Sequence, residues 1–319
     1  MRIVLVGAVE STRVAFETLA ADGSCTLAAV VTLPATKSSR HADWVDLHRP
    51  ASAAGIPVIE AADVNADAVV AAIATCSPDL LFVVGWSQIC RPPLLALPSI
   101  GPIGYHPASL PENRGRAVIP WTILQRRTET GATLFWMDDG LDSGDILVQH
   151  RFAVSSDETA RSLYDKHLHA LRAMLADALA LTGKDMPRRA QDHRLATYCA
   201  RRRPDDAHID WSASADSVWT LIRACGDPYP GAFSFFRGRR LVVWEAELRG
   251  PAPYCGLVGQ VQALEGGGAL VQCGDGGHVL LRTVEVDGNG RRPAAELLRA
   301  HERLGIDLVA LFTSRGGQR

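Results

Sequence analysis

The chain has 319 residues, 47% hydrophobic and 21% charged, a balance that suits a soluble globular protein too long for one ordinary core. A formal net charge of −2 argues against a protein that binds nucleic acid through electrostatics alone. The seven cysteines are scattered with no Cys-x-x-Cys pair, which fits reduced thiols in a cytoplasm and neither a disulfide scaffold nor a zinc site.

Arg2 to Val6 reads as a buried parallel strand, Gly7 as a turn, and Ser11 to Ala20 as a helix. The opening apolar run is too short for a signal peptide or a membrane helix, so a cytoplasmic protein with no membrane partner is expected. Ala28 to Thr32 is a second strand. Pro34 to Pro50 is polar and carries Lys37, Arg40, His41, His48 and Arg49. It reads as a solvated loop, or more sharply as a flap over an anionic substrate. Val58 to Glu60 is a short strand and Ala66 to Cys76 a helix. Asp79 to Val84 is a central strand that ends in Gly85-Trp86-Ser87-Gln88. Ligands of an open α/β sheet sit beyond the carboxyl ends of its strands, so this turn is a candidate cofactor wall. Its glycine would let a flat ring approach the backbone. The competing reading is a buried tryptophan in a tight turn.

From Gly101 an apolar strand leads to His106 and breaks at Pro107. A helix follows near Val118 to Gln125, then strands at Thr133 to Met137 and Ile146 to Gln149. Ser155 and Glu158 have the spacing of a capping box for a long helix to about Leu181. His167 and His169 on that helix read as packing or surface residues. Thr182 to Pro204 is polar and is placed as a linker, so that residues 1–204 form one domain and 205–319 another. In the second, Ser214 to Ala224 is a helix and Asp227 to Gly231 a stiff turn. Apolar runs near 232–236, 241–246, 257–263, 270–273 and 279–286 alternate with glycine-rich turns, which predicts a small, partly open OB-like β-barrel. Pro293 to Arg303 reads as a last amphipathic helix.

The chemistry gathers between Gly101 and Gln149. His106 can take a proton from an attacking amine or stabilise a developing oxyanion, and a nearby carboxylate would orient it. Asp142, bracketed by Gly140 and Gly144, lies 36 residues on, after a helix and a strand that in a parallel sheet can return the chain to the same edge. Asp138, Asp139 and Asp145 compete for that role by composition alone. Ser87, Ser109 and Ser143 sit in no G-x-S-x-G elbow, and the His and Cys residues lack zinc-ligand spacing, so no metal is expected.

The run from His106 through Pro-Ala-Ser-Leu-Pro-Glu-Asn-Arg to Gly115, then Glu129-Thr-Gly131, then Met137 through Asp-Asp-Gly-Leu-Asp-Ser-Gly to Asp145, resembles the signature of the 10-formyltetrahydrofolate-dependent formyltransferases. That family includes methionyl-tRNA formyltransferases, glycinamide ribonucleotide formyltransferases and nucleotide-sugar N-formyltransferases. The stretch Ile222 to Phe233 is most similar to the domain that formylates UDP-4-amino-4-deoxy-arabinose. The resemblance spans nearly the whole chain. It implies a Rossmann-like α/β domain with a mostly parallel sheet, followed by the barrel. It also implies transfer of a formyl group from 10-formyltetrahydrofolate, a co-substrate, to a primary amine through a tetrahedral intermediate.

On this resemblance His106 and Asp142 are the acid–base pair. Gly85, Trp86, Ser87, Gln88 and Ile89, with Asp138, Asp139, Gly140 and Leu141, line the pterin pocket. Asn113, Arg114 and Arg116 are candidate substrate contacts. One position departs from the family: Gly104 stands where an asparagine ordinarily donates to the formyl oxygen. Three resolutions are open. Gln88 or Asn113 reaches the oxyanion, a water fills the space, or the scaffold uses a different donor or chemistry. The expected acceptor is a small amine, foremost on a nucleotide-linked sugar. The alternatives are methionyl-tRNA, hydroxyornithine, or a non-catalytic folate- or nucleotide-binding relative. Carboxylates offset the arginines of the second domain, which argues against a nucleic-acid partner. No oligomeric state follows.

Overall fold

The computed structural model describes residues 1–181 and 186–305. They form two compact units, one from Met1–Val118, Thr128–Ser155 and Leu163–Arg201, the other from Ile119–Arg127, Ser156–Ser162 and the chain from Arg202. The first residues of the expected linker, 182–185, and the end of the expected second domain, 306–319, lie outside the described residues.

In the first unit β1 (Arg2–Val6), α1 (Glu10–Ala21), β2 (Thr26–Thr32), α2 (His48–Ala53), β3 (Val58–Glu60), α3 (Asp67–Thr75), β4 (Leu80–Val83), α4 (Pro92–Leu95) and β5 (Gly101–His106) alternate along the chain. A two-residue strand, β6 (Arg114–Gly115), is followed by α5 (Val118–Leu124), which from Ile119 belongs to the second unit, and then by β7 (Glu129–Trp136), β8 (Ile146–Ala153), α6 (Ala160–Ala180), which joins the first unit from Leu163, and β9 (Tyr198–Cys199). The main sheet has the order β3-β2-β1-β4-β5-β7-β8. It is parallel from β3 to β5 and antiparallel across β7 and β8. Alternation along each strand builds two cores. Ile3, Leu5, Phe82 and Ile103 face one side with Phe16 of α1 and Leu171 and Leu175 of α6; Val4, Val6, Leu81 and Val83 face the other with Ile73 of α3 and Leu94 of α4. The strand order reverses between β1 and β4, so the carboxyl ends of these strands frame the switch-point crevice.

Three local expectations are corrected. The long helix begins at Ala160, because Thr159 and Ser162 exchange the capping bonds, Ser162 N–H to Thr159 Oγ1 at 3.1 Å and Thr159 N–H to Ser162 Oγ at 3.0 Å. Ser155 and Glu158 precede it. Much of the stretch read as linker is ordered scaffold: Arg189 bridges Ile146, and β9 pairs in parallel with β6. The last helix shrinks to one turn, α8 below, because the following backbone pairs instead with Val261, whose N–H donates to Glu302 and whose carbonyl accepts from His301.

The second unit contains α7 (Ala215–Cys225), β10 (Ala232–Phe236), β11 (Arg239–Arg249), β12 (Val261–Glu265), β13 (Gly268–Gln272), β14 (His278–Val286), β15 (Arg292–Pro293) and α8 (Ala294–Leu297). The strands form one antiparallel sheet in the order β10-β11-β14-β13-β12, with β15 on β14, and α7 packs across β11 and β14. Among the described residues no helix is long and apolar enough to cross a membrane.

Phe82 is fully buried on the central strand of the first unit. Phe82→Ala is expected to cost about 3–5 kcal/mol through the lost burial and the cavity left behind. Chemical denaturation followed by fluorescence would read this as an earlier unfolding midpoint.

Candidate active site

His106 ends β5 with its side chain 5% exposed. Its Nε2 lies 2.7 Å from the carbonyl oxygen of Asn113. A carbonyl only accepts, so Nε2 carries the proton and donates it there. The other nitrogen, Nδ1, faces the Oδ2 of Asp142 at 3.6 Å. That separation exceeds a direct hydrogen bond, so Nδ1 is the nitrogen left to exchange a proton with a substrate, with the carboxylate beside it.

Asp142 reaches this place by a route that the strand pattern did not suggest. β7 runs antiparallel to β5, with Thr133 opposite His106 and Trp136 opposite Ile103. The chain therefore leaves β7 beside Pro102, whose carbonyl accepts from Met137 N–H, four residues and roughly 13 Å of strand away from His106. The loop that follows folds back, and Asp142 sits in it with φ of +49°. Asp138 cannot compete for the histidine. Its carboxylate accepts from Ser143 Oγ at 2.9 and 3.0 Å and from Gly140 N–H at 3.1 Å, bracing the loop from within.

Three consecutive residues hold both members of the pair. The carbonyl of Asn113 fixes His106, and the N–H of Gly115 donates to Asp142 Oδ2 at 2.8 Å. Between them Arg114 is buried and meets Gln191, whose amide donates to the carbonyls of Asp142 and Gly144. This strip is held by β9 and by the hydroxyl of Thr197, which accepts from Asn113 N–H at 2.8 Å. Gly115 has φ of +101°, and a Cβ there would lie 2.6 Å from the Cys199 carbonyl oxygen, so only glycine fits. The loop after His106 is also tied down: Thr133 Oγ1 donates to Ala108 O and Gln149 Nε2 to Leu110 O. No local pattern in the sequence marks Gln191, Thr197, Thr133 or Gln149 for these supporting roles.

Gly104 shares the His106 face of β5, as alternation requires. The space beyond it is filled. A Cβ built there would meet the Phe135 ring at 2.8 Å and Met137 Cγ at 3.0 Å. At the Cβ position the neighbours are thus apolar atoms in van der Waals reach. Gln88 turns its amide to the 62–64 segment: its Oε1 accepts from Val64 N–H at 3.0 Å and one N–H of its Nε2 donates to Ala62 O at 2.7 Å.

The loop after β4 lies at the sheet edge next to His106, since Val83 pairs with Gly104. The missing side chain of Gly85 makes room for Val9, Ser11 and Thr12, with a Cβ only 2.3 Å from Val9 Cγ2. Trp86 packs partly buried on the core, its Nε1 without a partner, while Ile89 is 79% exposed. Ser87 Oγ lies 3.3 Å from His41 Nε2, which brings the 34–50 stretch over this edge. Burial pushes the His41 pKa down, Asp43 opposing and Arg116 and Arg40 adding to it. Leu141 and Asp139 are exposed on the Asp142 loop, and Arg116 is exposed beyond Gly115. His167 is buried against the edge of Phe152, with burial and then the nearby His106 pushing it down to about 3. It is a neutral packing group. Among the described residues no cluster of three His, Cys, Asp or Glu side chains is arranged to hold a metal ion.

Residues 2–179 match the family model described as formyl transferase, and residues 202–302 match the formyl transferase C-terminal domain. The methionyl-tRNA formyltransferase of Methylacidiphilum infernorum is 32% identical over 314 residues, 97% of this chain and 98% of that protein. HypX from Aquifex aeolicus, solved in complex with tetrahydrofolic acid, superposes with a TM-score of 0.63 at 18% identity over 93% of this chain. This chain spans 47% of HypX, about half its length. An N-formyltransferase from Helicobacter canadensis, solved with folinic acid and dTDP-3-aminofucose, gives a TM-score of 0.62 at 16% identity, over 88% of this chain and 98% of that one. At such identities the structural likeness speaks for the fold.

The crowding at Gly104 can be measured. Gly104→Asn is expected to destabilise by about 1–3 kcal/mol through overpacking, and to cost less in a Phe135→Ala background, where the ring it meets is gone, than in the parent. Unfolding midpoints of the single and double variants check it; a single variant as stable as its parent would mean that Phe135 yields freely.

Proposed function

The chain belongs to the formyl transferase family, and on that premise we propose that it passes a formyl group from 10-formyltetrahydrofolate to a primary amine, with His106 and Asp142 as the acid–base pair. The observation that carries the reading is the geometry of His106: Nε2–H held by a backbone carbonyl and Nδ1 facing a carboxylate. In this reaction the acceptor nitrogen bonds to the formyl carbon, and Nδ1 takes the proton that this nitrogen sheds. Asp142 stabilises the imidazolium. The bond between the formyl carbon and the folate nitrogen then breaks, and the proton passes to that leaving nitrogen.

With apolar packing at Gly104, the protonated His106 takes the charge on the formyl oxygen in this scheme, with the Asn113 or Gln88 amide as the alternative donor. Elsewhere one oxyanion donor contributes about 2.7–4 kcal/mol, so this site works with less stabilisation than an asparagine-bearing one. The folate itself fits the exposed apolar side chains of Ile89 and Leu141, one in each loop assigned to the pterin. Gly85 and Gln88 would support that wall without touching the ring. Asn113 and Arg114 would support the pair, leaving Arg116, exposed, as the candidate substrate contact among the three. The boundary near residue 204 between a catalytic and a C-terminal domain belongs to the same proposal.

For the acceptor, the relative matched over both full lengths supports methionyl-tRNA. A nucleotide-linked amino sugar is the second reading, favoured by one observation: the arginines from Arg202 to Arg303 are offset by a similar number of carboxylates, a poor surface for a folded polyanion.

A mass-spectrometric screen with 10-formyltetrahydrofolate, methionyl-tRNA, nucleotide-linked amino sugars and hydroxyornithine tests both levels. One added formyl mass on one acceptor is expected. Folate binding without transfer to any of them would refute the catalytic reading. His106→Ala and Asp142→Asn are each expected to reduce turnover at least about a hundredfold, and near-parental rates in either would overturn the assigned pair.

A further inference from the structure

Arg114 is 3% exposed, and no described carboxylate pairs with it. A buried guanidinium without an anion is costly and needs its donors met by other groups. Here Nε and Nη2 donate to Gln191 Oε1 at 3.2 and 2.6 Å, Nη2 also faces His193 Nδ1 at 3.1 Å, and Nη1 faces the Tyr198 hydroxyl at 3.4 Å. These contacts dictate how Gln191 sits. Its amide oxygen must turn to the guanidinium and its nitrogen to the two carbonyls, of Asp142 at 2.9 Å and Gly144 at 2.7 Å. The opposite orientation would set donors against donors and oxygens against oxygens.

We propose that Arg114 and Gln191 form a positioning clamp that sets Asp142 against His106. The clamp's effect on rate rests on the formyl-transfer reading above; its existence rests on geometry. The sheet does not deliver Asp142 to the histidine, because β7 ends beside Pro102. The loop must be held in its folded-back course with Asp142 in a left-handed conformation, and the clamp grips the carbonyls on both sides of Ser143. The same short strand that supplies Arg114 grips the carboxylate through Gly115 N–H. Backbone and side chain of Asp142 are thus fixed from one strand, β6. Gln191 touches no reacting atom in this scheme; it acts through Asp142.

The test compares Gln191→Glu and Gln191→Met in the full chain. Glutamate gives Arg114 a better partner but confronts the two carbonyls with a carboxylate; methionine is of similar length and has no donors. The readouts are formyl transfer from 10-formyltetrahydrofolate to methionyl-tRNA or dTDP-3-aminofucose, whichever the parent formylates, and the nitrogen-15 resonance of His106 Nδ1. His150, which pairs with Asp177 on the exposed side of β8, is the reference. In both variants kcat is expected to fall at least about tenfold, towards the roughly hundredfold that an ångström of misplacement costs, with KM little changed. The His106 resonance should move and that of His150 should not. A folded Gln191→Glu with parental kcat and an unmoved His106 resonance would overturn the clamp and leave Gln191 as a mere cap on Arg114. If that variant fails to fold, Gln191→Met is judged by the same criteria. A parent that transfers no formyl group refutes the functional reading alone; the His106 resonance then decides the clamp, movement sustaining it and constancy overturning it.

Discussion

An imidazole has two nitrogens, and the hydrogen bond made by one decides what the other can do. In this protein the Asn113 carbonyl makes that choice for His106, seven residues downstream in the same chain. The consequence spreads outward. The carbonyl must be aimed at a ring at the end of β5, so the chain from Pro107 to Asn113 has to double back and be tied by Thr133, Gln149 and Thr197. Once Asn113 is in place, Gly115 N–H falls beside the Asp142 carboxylate and Arg114 turns into the interior. One tripeptide, Asn113 to Gly115, held to β9 through Arg114 and Gly115, thereby fixes the tautomer, the ring orientation and the counter-ion together.

If the family pattern places an asparagine at position 104, as the resemblance implies, this chain packs well without that polar contact. With no side chain at 104, the Phe135 ring and Met137 close on the strand. Removing an amide and filling its place with apolar atoms leaves no orphaned donor, which makes the substitution structurally benign. It also makes the surroundings of the histidine less polar, a setting in which the remaining charge interaction with Asp142 counts for more. On the formyl-transfer reading, the work shared elsewhere between two donors concentrates in one ring.

Much of the fold was legible because burial and periodicity are local properties. The apolar runs at Arg2–Val6, Leu80–Val83 and Gly101–His106 could only be interior strands, and the spaced apolar runs after Ala232 became the antiparallel sheet of the second unit. Legibility failed where competing partners decide. Ser155 and Glu158 had capping spacing, yet Thr159 and Ser162 capped the helix. The chain after α8 had an amphipathic pattern, yet pairing with Val261 drew it out of a helix. Glycine was read as a sign of close approach at Gly85, and Val9 of the protein's own chain approaches there.

The candidate site divides along the same line. The residue types, their order and their match to a family pattern were enough to single out His106 and Asp142 and to notice the glycine at 104, because these are properties of the string itself. Nothing in the string says that β7 runs antiparallel to β5, that Asp142 must therefore come back across the sheet, or that a glutamine in a polar stretch read as a linker holds it there. Those facts depend on which distant segments meet, and Gln191 meets the Asp142 loop across nearly fifty residues of chain. Sequence alone singled out the groups proposed to carry the chemistry; tertiary structure decided which nitrogen of the histidine is available and what keeps the carboxylate beside it, because hydrogen-bond partners that far apart are chosen only by the fold.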